Sequence, residues 1–100
     1  MRNIIGILLL GLFFIGCIST PIKNIQENPE DYVGEEVYVE GIAHNTLKIG
    51  QLSGFVLTDG NNSIRVSSQK LPEEGKKVMV KGIVIKDSLV GYYILAKEIN

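Results

Sequence analysis

Gly34-Glu35-Glu36-Val37-Tyr38-Val39-Glu40-Gly41-Ile42-Ala43 returns later in the chain as Gly75-Lys76-Lys77-Val78-Met79-Val80-Lys81-Gly82-Ile83-Val84. Both stretches read glycine, two charges, V-x-V, one charge, Gly-Ile, and each glutamate of the first is a lysine in the second. Alternation with period two places Val37 with Val39, and Val78 with Val80, on one face of a strand. The interior glycines, Gly41 and Gly82, mark a bulge or sharp bend where a strand can turn a barrel corner. A solenoid needs about three or more repeats. Two copies point instead to two strands with equivalent jobs in one barrel.

Three further strands follow from the same alternation. Gly54-Phe55-Val56-Leu57-Thr58-Asp59 and Ser63-Ile64-Arg65-Val66-Ser67 flank Gly60-Asn61-Asn62, a strong hairpin signal. Gln69 to Gly75, containing Leu71-Pro72, reads as a polar connector. Asp87 to Gly91 reads as a turn, and Gly91 to Ile99 as the closing strand. Ahead of the first copy, Asn28-Pro29-Glu30-Asp31 has the pattern of a helix start: a cap, proline at the first position, then acids against the dipole. One helical turn is predicted there, ending at Gly34, with Ile25, Tyr32 and Val33 packed onto the domain.

The strand order and the pieces NPEDYVGEEVYVEGI, GFVLTDGNNSIRV and LPEEGKKVMVKGIV…YYILAKEI resemble small OB-fold domains of the anticodon-binding-like kind. The resemblance implies an all-β, five-stranded, partly open Greek-key barrel over residues 24–100. It also implies pairing of the first and fourth strands, which would bring Glu36 or Glu40 near Lys77 or Lys81. OB domains bind oligonucleotides, oligosaccharides, peptides and proteins, so the fold leaves the ligand open. Many OB domains carry a helix between the third and fourth strands. Ser68 to Glu74 offers at most a turn, and the segment 24–33 is expected to plug the barrel end instead.

The N-terminus carries a second message. Met1-Arg2-Asn3 precedes the apolar run Ile4 to Ile15, which ends at Gly16 and the chain's one cysteine, Cys17. A basic start, an apolar core and a small residue are the marks of an export signal. The run is shorter than the roughly 20 residues of a membrane-spanning helix. Gly16-Cys17 resembles the lipobox of prokaryotic lipoproteins. In that family the peptide is cut before the cysteine, whose thiol carries a lipid. Residues 1–17 are thus expected to be a signal peptide, with Cys17 the lipidation site and 18–23 a tether. A retained anchor helix is the alternative. Either places the domain outside the cytoplasm, at the cell membrane.

Ten Lys and Arg stand against eleven Asp and Glu. A nucleic-acid binder usually shows a basic surplus, because phosphate neutralisation supplies most of its affinity; nucleic acid is therefore the secondary expectation. No phosphate-cradling glycine loop, nucleophile elbow or metal-ligand spacing occurs. No catalytic residue, metal or cofactor is expected. His44, in the loop-like His44-Asn45-Thr46, reads as a solvent-exposed residue. The leading expectation is a binding or scaffolding module for a protein, peptide or glycan. Phe55, Arg65 and Tyr92 are the candidate contacts, because aromatics and arginine supply most interaction hot spots.

Overall fold

A computed structural model describes residues 19–49 and 52–100. The expected signal segment and the lipidation site at Cys17 lie outside the described residues. Five strands are formed: β1 (Glu36–Ile49), β2 (Leu52–Thr58), β3 (Ser63–Ser67), β4 (Lys77–Asp87) and β5 (Gly91–Ile99). They close into a barrel in the order β1-β2-β3-β5-β4. The ring is complete rather than partly open: Arg65, Val66 and Ser67 pair in parallel with Tyr93, Ile94 and Leu95. All other strand pairs are antiparallel.

The repeated motif forms the seam between β1 and β4. Val39 lies opposite Val80, Val37 opposite Gly82, and Gly41 opposite Val78. The seam is symmetric to its ends. The Gly34 amide donates to the Val84 carbonyl at 2.8 Å, and its counterpart Gly75 donates to Ala43 at 2.7 Å. Gly34 and Gly75 have φ of +83° and +81°, a backbone region that glycine enters without steric cost. The interior glycines are corners, as the sequence predicts. At Gly41–Ile42, β1 passes from β4 to β2, and the β4–β5 register shifts between Lys81 and Gly82.

Alternation drives the core. Val37, Val39, Ala43, Phe55, Leu57, Ile64, Val66, Val78, Val80, Val84 and Ile94 point inward and are buried. Fully burying each larger side chain stabilises by about 1.5–3 kcal/mol. No polar residue is buried among the described residues. The β2–β3 turn is built as expected: the Asp59 carboxylate accepts from the Asn61 and Asn62 amides, at 3.0 and 2.8 Å, and Gly60 has φ +103°.

The helical segment differs from expectation. The helix, α1, is Ile22–Glu27, beginning within the stretch read as tether. Pro29–Asp31 forms only a 3-10 turn, and the Asn28 side chain makes no capping bond. The physical reason lies in spacing. Ile22 and Ile25, three apart, share one helix face and are each 1% exposed, so burial sets the helix. The plug itself is as expected: Ile22 and Ile25 join the barrel core, with Tyr32 packed against it. Val33 stays 38% exposed, making only a bridge to Val84. Ser68 to Lys76 forms turns without a helix. Among the described residues, no helix is long and apolar enough to cross a membrane.

Candidate binding groove

Side chains on the outside of the barrel form cross-strand rows. One row runs His44, Val56, Arg65, Tyr93, Ile85 across β1, β2, β3, β5 and β4. The next runs Leu47, Gly54, Ser67, Leu95, Ile83. The first part of these rows floors a groove of about 570 Å³. Gly54 keeps its strand close to β3, for a β-carbon there would stand 2.5 Å from the Val66 carbonyl oxygen.

A strand bulge and a turn wall the groove. One wall is the end of β1, where the register slips between His44 and Leu47 and Asn45 takes φ +54°. Glu74, from the connector before β4, holds this bulge. Its carboxylate accepts from the Asn45 amide at 3.0 Å and the Thr46 amide at 3.3 Å, and lies 3.1 Å from His44 Nδ1. These amide bonds, and secondarily His44, lower the Glu74 pKa. Leu47 projects from this wall, 58% exposed. The other wall is the β4–β5 turn, where the Asp87 carboxylate accepts from the Leu89 and Val90 amides at 2.7 and 3.1 Å. Those bonds lower its pKa. Val90 and Leu89 are 50% and 93% exposed.

A smaller cavity of about 270 Å³ shares Val56, Arg65 and Val90 with the groove and extends to Ile25, Gln26 and Tyr92. There the Tyr92 hydroxyl donates to Glu30, which also accepts from Lys86 Nζ at 2.8 Å. This clasp joins the 3-10 turn to β4 and β5. The Lys86 and Tyr92 hydrogen bonds lower the Glu30 pKa, and the Glu30 carboxylate raises those of Lys86 and Tyr92.

Of the three candidate contacts, only Arg65 is exposed on the groove floor. Phe55 is 3% exposed and belongs to the core, so it offers no stacking face. Tyr92 is spent on the clasp, and its neighbour Tyr93 takes the place beside Arg65. The reversal has a local cause. Ile99 pairs with Val80 and packs on the core, but Lys97 is an extra residue in the register opposite Lys81–Gly82. Counting back by twos from Ile99 puts Tyr93 inside; the bulge at Lys97 puts it outside. The His44 side chain is solvent-accessible as expected, 44% of it exposed, but it lies in β1 rather than a loop and is partnered by Glu74. Of the expected acid–lysine contacts, Glu36 stands 3.9 Å from Lys81, and it also meets Lys97 at 3.1 Å.

Among the described groove-lining residues, Arg65 is the one cation, with Asp87 the one anion. No cluster of three or more His, Cys, Asp or Glu side chains that could hold a metal occurs among the described residues. The arrangement offers an aliphatic rim, an aromatic ring, a guanidinium and serine hydroxyls.

No protein-family profile and no curated protein matches this chain. Solved structures do. Asparaginyl-tRNA synthetase from Pyrococcus horikoshii is similar with a TM-score of 0.66 and 14% identity, over 82% of this chain and 22% of that one. A putative aspartyl-tRNA synthetase from Leishmania major Friedlin has a TM-score of 0.66 and 19% identity, over 81% and 20%. OBody NL8 bound to hen egg-white lysozyme has a TM-score of 0.58 and 26% identity, over 67% of this chain and 92% of that one. The chain thus spans about a fifth of the synthetases' length. The likeness is one of fold: a closed five-stranded barrel with a short helix, consistent with the OB-fold.

Proposed function

We propose that this protein is a binding module, not an enzyme, held at the cell membrane outside the cytoplasm by its N-terminal segment. Its groove receives an exposed segment of another protein or a peptide. The carrying observation is the composition of the groove: exposed Leu47 and Val90 rim a floor where Arg65 and Tyr93 stand side by side. Apolar rims around an aromatic–arginine pair suit a polypeptide, because such residues bury large area and still hydrogen-bond. The similar OBody bound to lysozyme is an instance of this barrel type engaging a protein. The test is capture of envelope proteins by the full chain in membranes, compared with an Arg65→Ala/Tyr93→Ala variant. The reading expects a saturable partner that the variant loses. Equal capture by both would sink the groove as the site.

The likeness to two tRNA synthetases and the Arg65–Tyr93 pair support a second reading, single-stranded nucleic acid stacked on Tyr93. One cation among the described groove-lining residues is few for a ligand whose affinity comes from phosphate neutralisation. Titration with fluorescent single-stranded RNA and DNA at low salt separates the readings, since attraction is strongest there. Tight binding that Tyr93→Ala abolishes would favour nucleic acid over polypeptide.

A further inference from the structure

The chain leaves its N-terminal segment at a defined point on the barrel. The Thr20 amide donates to the Tyr38 carbonyl at 2.6 Å, on the β1 edge before β2 pairing begins at Ile42. Ile22 and Ile25 follow at once, each 1% exposed in the core. The chain is thus fastened to the barrel from Thr20 onward. From Cys17 to Thr20 it advances three residues, a reach of at most about 11 Å when fully extended. A compact domain of about 80 residues has a radius of gyration of about 12 Å. The leash is no longer than the domain's own radius, so the domain cannot turn over on it.

We propose that this short leash presses the outer face of the β1–β4 seam, at Tyr38 and Lys81, against the lipid headgroups and turns the Arg65–Tyr93 groove away from the membrane. The inference rests on residues 1–17 acting as a membrane anchor and holds whether that anchor is cut at Cys17 or retained. The topology supplies the second half. In the ring β1-β2-β3-β5-β4, β2 and β5 flank the seam and β3, which carries Arg65, lies opposite it. The face itself suits the headgroup layer. Tyr38 is 37% exposed, and Lys81 Nζ lies 5.7 Å from its ring centre. Aromatic rings and lysines with apolar stems are at home at that depth. Glu36 on the same strand is offset by Lys81 and Lys97. Glu40 remains exposed, so the leash, rather than net charge, sets the orientation.

Photo-crosslinking tests this on the full chain. p-Benzoylphenylalanine replaces Tyr38 in one sample and Tyr93 in another, in vesicles of phosphatidylethanolamine and phosphatidylglycerol. Membrane association and the mass of residue 17 are measured in parallel. The inference expects lipid adducts from position 38 to exceed those from position 93 about fivefold or more. Inserting about 20 Gly/Ser residues between Ile18 and Ser19, adding roughly 25 Å of mean reach, should keep the protein on the vesicles and bring the two yields together. A membrane-bound chain with equal yields, a reversed ratio or no adducts without the insert overturns the orientation and leaves the anchor standing. A chain that stays off the vesicles overturns the anchor, and the orientation with it.

Discussion

Val39 and Val80 occupy the same place in the two copies of the repeated motif and face each other across the β1–β4 ladder. They mark a local two-fold axis. About it, Val37 and Val78 are exchanged, each opposite the other copy's interior glycine. The same axis relates Gly41, packed under β2, to Gly82, packed under β5. An antiparallel pair of equal strands needs the same corner twice. That requirement explains why the chain spells it twice.

Val39→Ala and Val80→Ala should therefore cost alike, about 2 kcal/mol each, since both residues are 0% exposed. Because they touch across the seam, the double variant should depart from additivity by about 0.5 kcal/mol or more. Val80→Asp buries an unpaired charge and should leave no cooperative melting transition. Urea and thermal denaturation followed by circular dichroism read all four, and an unchanged Tm for Val80→Asp would show that this face is solvated.

The interior glycines should be less replaceable than the turn glycines. A β-carbon on Gly82 would stand 2.7 Å from Ile94 Cγ2 and against the Leu95 carbonyl; one on Gly41 would stand 2.7 Å from the Thr58 carbonyl oxygen. Gly82→Ala and Gly41→Ala should each cost about 1–3 kcal/mol or more through overpacking. At Gly60 the added carbon meets nothing within 4 Å, so only the φ of +103° resists, at about 1–2 kcal/mol. Denaturant midpoints that rank Gly60→Ala as the worst of the three would contradict the packing argument.

Five strands and the β2–β3 and β4–β5 turns were legible because each strand alternates and both turns carry Asp, Asn or Gly where the backbone needs it. What stayed hidden lies at irregularities. The bulge at Asn45 puts polar residues inside a strand, so His44-Asn45-Thr46 reads as loop while β1 continues to Ile49. The bulge at Lys97 puts Tyr93, rather than Tyr92, beside Arg65. Asn28-Pro29 draws the helix prediction downstream of Ile22 and Ile25, whose spacing was the better signal. The groove has no local signature, because Leu47, Arg65 and Val90 meet only once the barrel has closed.

Acid should loosen the Asn45 wall. The Glu74 pKa is lowered by two amide bonds and His44, so its carboxylate favours the folded state. That contribution is complete above the unfolded glutamate value of about 4.3 and is lost as pH falls through the lower folded value. Glu74→Gln should lower Tm at pH 7, and the difference should shrink as pH falls below the unfolded value and vanish once it is below the folded one. Amide shifts of Asn45 and Thr46 should titrate in the same acid range in the parent and stay flat in Glu74→Gln. A gap in Tm that persists in acid would mean that Glu74 acts through packing.

Three aromatic residues should separate core, clasp and contact. Phe55, 3% exposed, should cost about 3–5 kcal/mol of stability when changed to alanine. Tyr92→Phe removes the hydroxyl that donates to Glu30; it should speed hydrogen exchange around Pro29–Asp31 and leave capture of a groove partner intact. Tyr93 lies outside the barrel beside Arg65, so Tyr93→Ala should cost only about 1 kcal/mol. It should nevertheless reduce partner capture about tenfold or more, the scale of a hot-spot truncation. The outcome that matters is the divergence of stability from binding. If Tyr93→Ala lowers both in proportion, its ring supports the fold, and Arg65 stands in the groove without an aromatic partner.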